Sequence, residues 1–223
     1  MPARRPTPPL EPGDHLTRDE FERRFDATPG LKRAELIEGR VHMPPALRWD
    51  NHARPHRNLL HWVSTYELLT PGVLSGVAGS IRLDLDNEPQ PDVALLIDPK
   101  RGGNAKISDD DYIEGAPELV AEISASTVSI DMHMKRRVYL RNGVSEYVVW
   151  GVYDGAIDWF ALRESDYQLL PADSNGIIRS VAFPGLWLDA IALLSGDLVR
   201  VLRVLQDGIT TPEHTEFVNR LAK

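Results

Sequence analysis

Three short apolar runs constrain the fold of this chain more than any other feature: Asp92-Val93-Ala94-Leu95-Leu96-Ile97, Leu119-Val120-Ala121-Glu122-Ile123-Ser124 and Glu146-Tyr147-Val148-Val149-Trp150. A run of this length without polar alternation fits a strand covered on both faces, because a strand with one wet face alternates with a period of two. Between the second and third runs, Asp131 to Asn142 reads as a helix, closed by Gly143 at the position where chains turn left-handed. A helix linking two buried strands makes them parallel neighbours and packs on one face of their sheet. The expected class is therefore α/β, with a central β-sheet flanked by helices.

The remaining segments are read around that centre. Thr17 and Glu20 form a capping-box pattern for a helix from Arg18 to Asp26. Ala34 to Met43 alternates about a tight turn at Glu38-Gly39 and reads as a hairpin. Asp50 to Leu69 has helical spacing through Leu59, Val63 and Tyr66, and Val73 to Leu85 reads as one or two strands. Asp98 to Pro117 is polar and reads as a long surface loop. Ile157 to Arg163 and Tyr167 to Leu170 suggest a second hairpin, Ile177 to Phe183 an edge strand, and Asp197 to Gln206 an amphipathic helix. The expected organisation is a proline-rich, disordered or extended leader over 1–14, one domain over 15–195, and a C-terminal helical extension over 196–223.

Composition narrows the classes of function. With 223 residues and 42% apolar content the chain can bury one ordinary core. Its 25 Lys and Arg against 33 Asp and Glu leave a net charge of −8, which opposes non-specific attraction to a polyanion. Contact with nucleic acid would then need a local basic patch. The absence of cysteine excludes disulfides and Cys-ligated zinc or iron–sulfur centres, and a reducing cytoplasm fits. The first residues lack the apolar core of a signal peptide, and no apolar stretch approaches the roughly 18 residues of a membrane span, so no membrane association is expected.

Two carboxylates interrupt the apolar runs. Asp92 opens the first and Glu122 lies inside the second, where a charge is costly unless paired or bound to a metal. On neighbouring strands the two would form an oxygen-rich pocket suited to Mg²⁺ or Mn²⁺. Alternation puts Ser124 on the face of Glu122. Lys135, in the helix after the second run, has the reach to return over the carboxylates, and His52 and Glu35 are further candidates for the shell. Each has a plainer reading: Asp92 as a turn or cap, Glu122 as a structural ion-pair partner, His52 as a helix-end histidine, and Lys135, beside Arg136 and Arg137, as part of a solvated basic face.

An ordered set of residues adds a resemblance. Glu35-Leu36-Ile37-Glu38-Gly39, Pro44-Pro45, His52, Pro91-Asp92-Val93, Pro117 to Ser124, Lys135, Tyr139, Gly143-Val144, Glu146-Tyr147 and Phe183-Pro184-Gly185-Leu186 together resemble the Uma family of restriction-endonuclease-like proteins, within the PD-(D/E)XK nuclease superfamily. The resemblance spans roughly residues 15 to 195 and implies the restriction-endonuclease-like fold, a mixed central β-sheet flanked by helices. It also implies that Asp92 and Glu122 bind the metal and that Glu35 matches an early acidic position. Ser124 stands where the superfamily carries a lysine, and Ser124-Ala125-Ser126 stands in place of Ser-Pro-Ser. The family recruits its lysine from the next helix, which gives that role to Lys135. The function so implied is a metal-dependent endonuclease acting on DNA; the alternative is a nucleic-acid-binding or regulatory domain that kept the fold without cleavage. Cutting both strands of a duplex needs two sites, so a homodimer is expected, with Trp150, Trp159 and Trp187 as interface candidates.

Overall fold

The structure is a computed structural model that describes residues 7–44, 46–125 and 130–223, so that Pro45, Ser126 and the start of the leader lie outside the described residues. Helix α1 (Arg18–Asp26) precedes strands β1 (Glu35–Ile37) and β2 (Arg40–His42). A π-helical turn at Trp49–Ala53 runs into α2 (Arg54–Leu69), followed by β3 (Val73–Val77), β4 (Ile81–Arg82) and β5 (Val93–Ile97). After a 3₁₀ turn at Pro99–Arg101 come β6 (Lys106–Ile107), β7 (Ile113–Glu114) and β8 (Leu119–Ser124). A second π-helical turn, Ile130–Lys135, continues as α3 (Arg136–Asn142) and leads to β9 (Glu146–Gly151). The chain ends with β10 (Ala156–Arg163), β11 (Asp166–Leu169), β12 (Ile177–Arg179), β13 (Trp187–Asp189), α4 (Ala190–Ser195), α5 (Leu198–Ile209) and α6 (Pro212–Leu221).

The central sheet has six strands in the order β11-β10-β9-β8-β5-β3. Strands β8 and β9 are parallel, with α3 as their crossover, and the other pairs are antiparallel, which makes the sheet mixed as expected. Gly143 closes α3 at φ 79°, the conformation that its lack of a Cβ allows.

Strand alternation decides what each face carries. Val93, Leu95, Leu119, Ala121 and Ile123 point to one face, where they pack with Leu59, Trp62, Val63 and Tyr66 of α2 and with Val201 and Leu205 of α5. Ala94, Val120, Tyr147 and Val149 point to the other, against Tyr139 of α3. Asp92 and Glu122 have the parity of Ala94 and Val120, so both belong to the α3 face. A smaller cluster joins Leu10, Phe21, Ala34, Leu36 and Val41.

Several expectations are corrected. Residues 1–14 do not all stand apart as a leader: Leu10 is buried, the Gly13 amide donates to the Val41 carbonyl, and the Val41 amide donates to that of Asp14. Proline-rich composition hid a segment that pairs along β2 because its one large apolar residue finds a cluster. Residues 196–223 carry α5 and α6, whose Val201, Leu205, Phe217 and Leu221 belong to the main core. There, helix α5 approaches so closely that a Cβ on Gly208 would lie 2.3 Å from the Gly185 carbonyl oxygen.

The segment Asp98–Pro117 is not one open loop, because β6 and β7 form a three-stranded sheet with β4. Strand β12 pairs with β13 and not with the central sheet. Trp150 and Trp159 cannot serve an interface: both are buried, Trp159 fully, because they share the inward parity of their strands. Trp187 is partly buried and lies against α5 through Gly208. Thr17 caps α1 without a side-chain hydrogen bond, and the Glu20 carboxylate accepts from Arg23 and Arg24. Among the described residues no helix is long and apolar enough to cross a membrane.

Candidate active site

The site forms where β5 and β8 part. Their ladder pairs Val93 with Ala121, and the same register carried one residue further sets Asp92 opposite Glu122. Here the Asp92 side chain replaces the backbone ladder: its Oδ2 accepts from the Ile123 amide at 2.8 Å. Oδ1 lies 3.1 Å from His52 Nε2 and 4.0 Å from an Arg33 guanidinium nitrogen. Burial pushes the Asp92 carboxyl up, but His52, the Ile123 amide and the charge of Lys135 outweigh it and hold the group below its ordinary value. Asp92 is thus a buried carboxylate at neutral pH.

Across from it, Lys135 closes the Glu35 and Glu122 carboxylates. Its ammonium lies 2.8 Å from Glu35 Oε1 and 2.9 Å from Glu122 Oε1, and all three side chains are at most 9% exposed. Glu35 Oε1 also accepts from the Gln90 amide at 2.7 Å, and Glu122 Oε1 from the Tyr139 hydroxyl at 2.9 Å. Lys135 and Tyr139 are four residues apart, so they share one side of the π turn and α3 and reach the same oxygen. Glu35 arrives from the first hairpin, whose turn residues Glu38 and Gly39 both take positive φ, at 51° and 72°. That is the geometry of a two-residue turn whose twist matches its strands.

All five expected residues, Asp92, Glu122, Lys135, Glu35 and His52, therefore meet in one place. Lys135 is not part of a solvated face; Arg137, which pairs with Glu38 at the surface, is. The contrast with other buried glutamates is informative. Glu146 accepts from Trp159 Nε1, the Ser180 hydroxyl and the Val181 and Ala182 amides, and Glu118 from the Ile97 and Asn104 amides. Those carboxylates tie loops to strands through neutral donors. Glu122 and Glu35 instead face a cation and line a cavity of about 960 Å³, together with Asp92, His52 and Lys135. Arg33, Arg40 and Arg48 stand around this cavity, the last two exposed, giving a basic rim to a chain of net negative charge.

Ser124 shares the parity of Glu122, but it does not line the cavity, which Ile123 and Ala125 border instead; its hydroxyl is buried without a partner among the described residues. His42 and His56 were not singled out by sequence reasoning. His42 lines the cavity, and its pKa is lowered by burial, with Glu35 pulling the other way and Lys135 and Arg40 adding to the drop, so the imidazole is neutral at pH 7. His56 follows His52 by one helical turn, and its Nε2 lies 3.0 Å from the Asp92 carbonyl oxygen. That spacing of four was a signal available in the sequence.

A family model described as "Uma2: Putative restriction endonuclease" matches residues 18–191, which holds every residue of the constellation. The chain belongs to the Uma2 family. Its fold resembles the crystal structure of a protein from Anabaena variabilis titled a putative nuclease belonging to DUF820, with a TM-score of 0.58 and 14% identity over 80% of this chain and 99% of that one. No curated protein matches. At that identity the structural likeness shows the fold, and the Uma2 match points to a nuclease.

Proposed function

We propose that this Uma2 protein is a metal-dependent endonuclease that hydrolyses phosphodiester bonds of DNA. The observation that carries the reading is the open cavity onto which three carboxylates and a buried lysine converge: Asp92 with His52 on one side, the Glu35–Lys135–Glu122 bridge on the other. A purely structural ion pair gains nothing from standing at the wall of a cavity with an arginine rim.

The donor set fits a divalent cation. Asp92 is a carboxylate at neutral pH, and a ring nitrogen of His52, one of His56 and a carboxylate oxygen of Asp92 lie within 4.8 Å of one another. Asp92 and Glu122 would hold Mg²⁺ or Mn²⁺, whose Lewis acidity activates water and neutralises charge developing on the phosphate. The remaining work falls to the chain itself. Lys135 is locked between two carboxylates, so its ammonium needs no reorganisation to face a phosphoryl oxygen, the condition under which electrostatic stabilisation is strongest. Tyr139 and the Gln90 amide fix the carboxylates that hold it. Arg33, Arg40 and Arg48 supply phosphate contacts at the entrance, the local patch that the overall charge demands. Two such sites in a homodimer would reach both strands of a duplex. The reducing cytoplasm is the expected setting.

Nicking of supercoiled plasmid in Mg²⁺ or Mn²⁺ at low salt tests the reading. Cleavage by the wild type that disappears in Asp92→Asn is the expected result. A folded wild type that binds the plasmid yet leaves it intact with either ion would instead favour the non-cleaving alternative.

A further inference from the structure

The histidines beside Asp92 bear on which ion the site selects, a question that rests on the reading of a metal at Asp92. One ring nitrogen from each of His52 and His56 and a carboxylate oxygen of Asp92 gather within 4.8 Å. Ligands bound at about 2.1 Å lie about 3.0 Å apart at right angles and about 4.2 Å apart when opposed. The 3.1 Å between His52 Nε2 and Asp92 Oδ1 already matches the first value, and the other separations stay within 4.8 Å.

Two further observations point to a ligand. His52 Nε2 is buried yet makes no well-directed hydrogen bond, so a nitrogen removed from water faces a carboxylate oxygen without the geometry of a bond. His56 Nε2 faces the Asp92 carbonyl oxygen at 3.0 Å, and a carbonyl can only accept. In the neutral ring this places the proton on Nε2 and the lone pair on Nδ1. Orientation of an imidazole by a backbone carbonyl at its other nitrogen is how metal-binding histidines are commonly held. The chain makes the pair possible by its local fold: the π-helical turn Trp49–Ala53 continues without a break into α2, which places His52 and His56 on one side, their ring centroids 5.7 Å apart.

We propose that His52 and His56 join Asp92 as ligands, so that the site selects a nitrogen-favouring first-row divalent ion, of which Mn²⁺ is the weakest-binding member, over Mg²⁺. Magnesium prefers oxygen ligands and retains its waters, whereas imidazole suits the first-row transition ions, whose affinities rise from Mn²⁺ towards Cu²⁺.

Titration calorimetry with Mn²⁺, Ni²⁺ and Mg²⁺ alone, without nucleic acid, tests this on the full chain. The expected order of affinity is Ni²⁺ above Mn²⁺ above Mg²⁺, with His56→Gln weakening Mn²⁺ by about tenfold or more. Mn²⁺ affinity unchanged in His56→Gln but lost in Asp92→Asn would overturn the histidine ligation and leave the Asp92 site standing. No binding of any ion by the wild type would overturn both. Pulsed electron paramagnetic resonance of Mn²⁺-loaded wild type gives an answer that needs no variant: coupling to imidazole nitrogen is expected, and a spectrum with none would overturn the proposal.

Discussion

Replacing Lys135 by methionine keeps the length and apolar stem of the side chain and removes its charge. In the wild type one ammonium serves Glu35 at 2.8 Å and Glu122 at 2.9 Å, and both carboxylates are buried. Removing one partner from a buried ion pair costs about 3–5 kcal/mol, because the buried charge left behind is uncompensated. Two carboxylates are left here, which argues for the upper end; the Gln90 amide and the Tyr139 hydroxyl still donate to them, which argues against more. A loss of about 4 kcal/mol should lower Tm by about 8–16 °C in a chain of this size. Guanidinium denaturation followed by tryptophan fluorescence measures it, and Glu122→Gln in the Lys135→Met background should recover part of the loss, since it deletes one of the stranded charges. A surface cation would change stability by no more than about 0.5 kcal/mol. A loss that small, with no recovery in the double variant, would refute the buried bridge.

Three other outcomes follow from the fold. Gly208→Ala, which improves helix propensity by about 1 kcal/mol, should nonetheless destabilise by about 1–3 kcal/mol in thermal denaturation, because the new methyl meets the Gly185 carbonyl and the Trp187 ring. The Glu88 carboxyl is pushed up to about 8 by burial and by Glu22, against the pull of Arg82 and Arg18. The folded state therefore binds its proton more tightly than the unfolded chain, so this group's contribution to stability falls as pH rises from about 4.5 through about 8, and Glu88→Gln should flatten that slope in denaturant titrations. Replacing Arg40 and Arg48 together by alanine should weaken DNA binding uniformly across sequences and reduce the slope of log K against log salt by about 2, measured by fluorescence anisotropy.

Much of the centre was legible because burial and charge conflict there visibly. A carboxylate inside Leu-Val-Ala-Glu-Ile-Ser has few explanations, and the structure sets Glu122 on the face that carries Val120 and α3. Glu146 shows the limit of that logic: it interrupts an apolar strand just as Glu122 does, yet it holds the loop at Ser180–Ala182 through neutral donors. What separates the two is the partner: Glu122 meets the ammonium of Lys135, from the turn that follows its strand, whereas the donors to Glu146 are neutral.

The misreadings share a cause. The leader, the C-terminal boundary and the tryptophan interface rest on composition or general expectation, while the burial of Leu10, Val201, Phe217, Trp150 and Trp159 depends on which distant segment covers them. Tyr139 appeared only as part of a motif, and its function as a donor to Glu122 emerges from its placement one turn beyond Lys135. His56 was readable as the fourth residue after His52, but its link to Asp92 arises from the meeting of α2 with the start of β5.

The central claim is that the Asp92–Glu122–Lys135 constellation performs phosphodiester hydrolysis. Single-turnover cleavage of an end-labelled DNA duplex, with enzyme in excess and Mn²⁺ present, tests it most directly when wild type is compared with Glu122→Gln. That change keeps the side chain's size and its acceptor oxygen but removes the charge. The account predicts a rate constant lowered by about a hundredfold or more, with DNA affinity retained. Equal rates in the two proteins would place the chemistry elsewhere and contradict it.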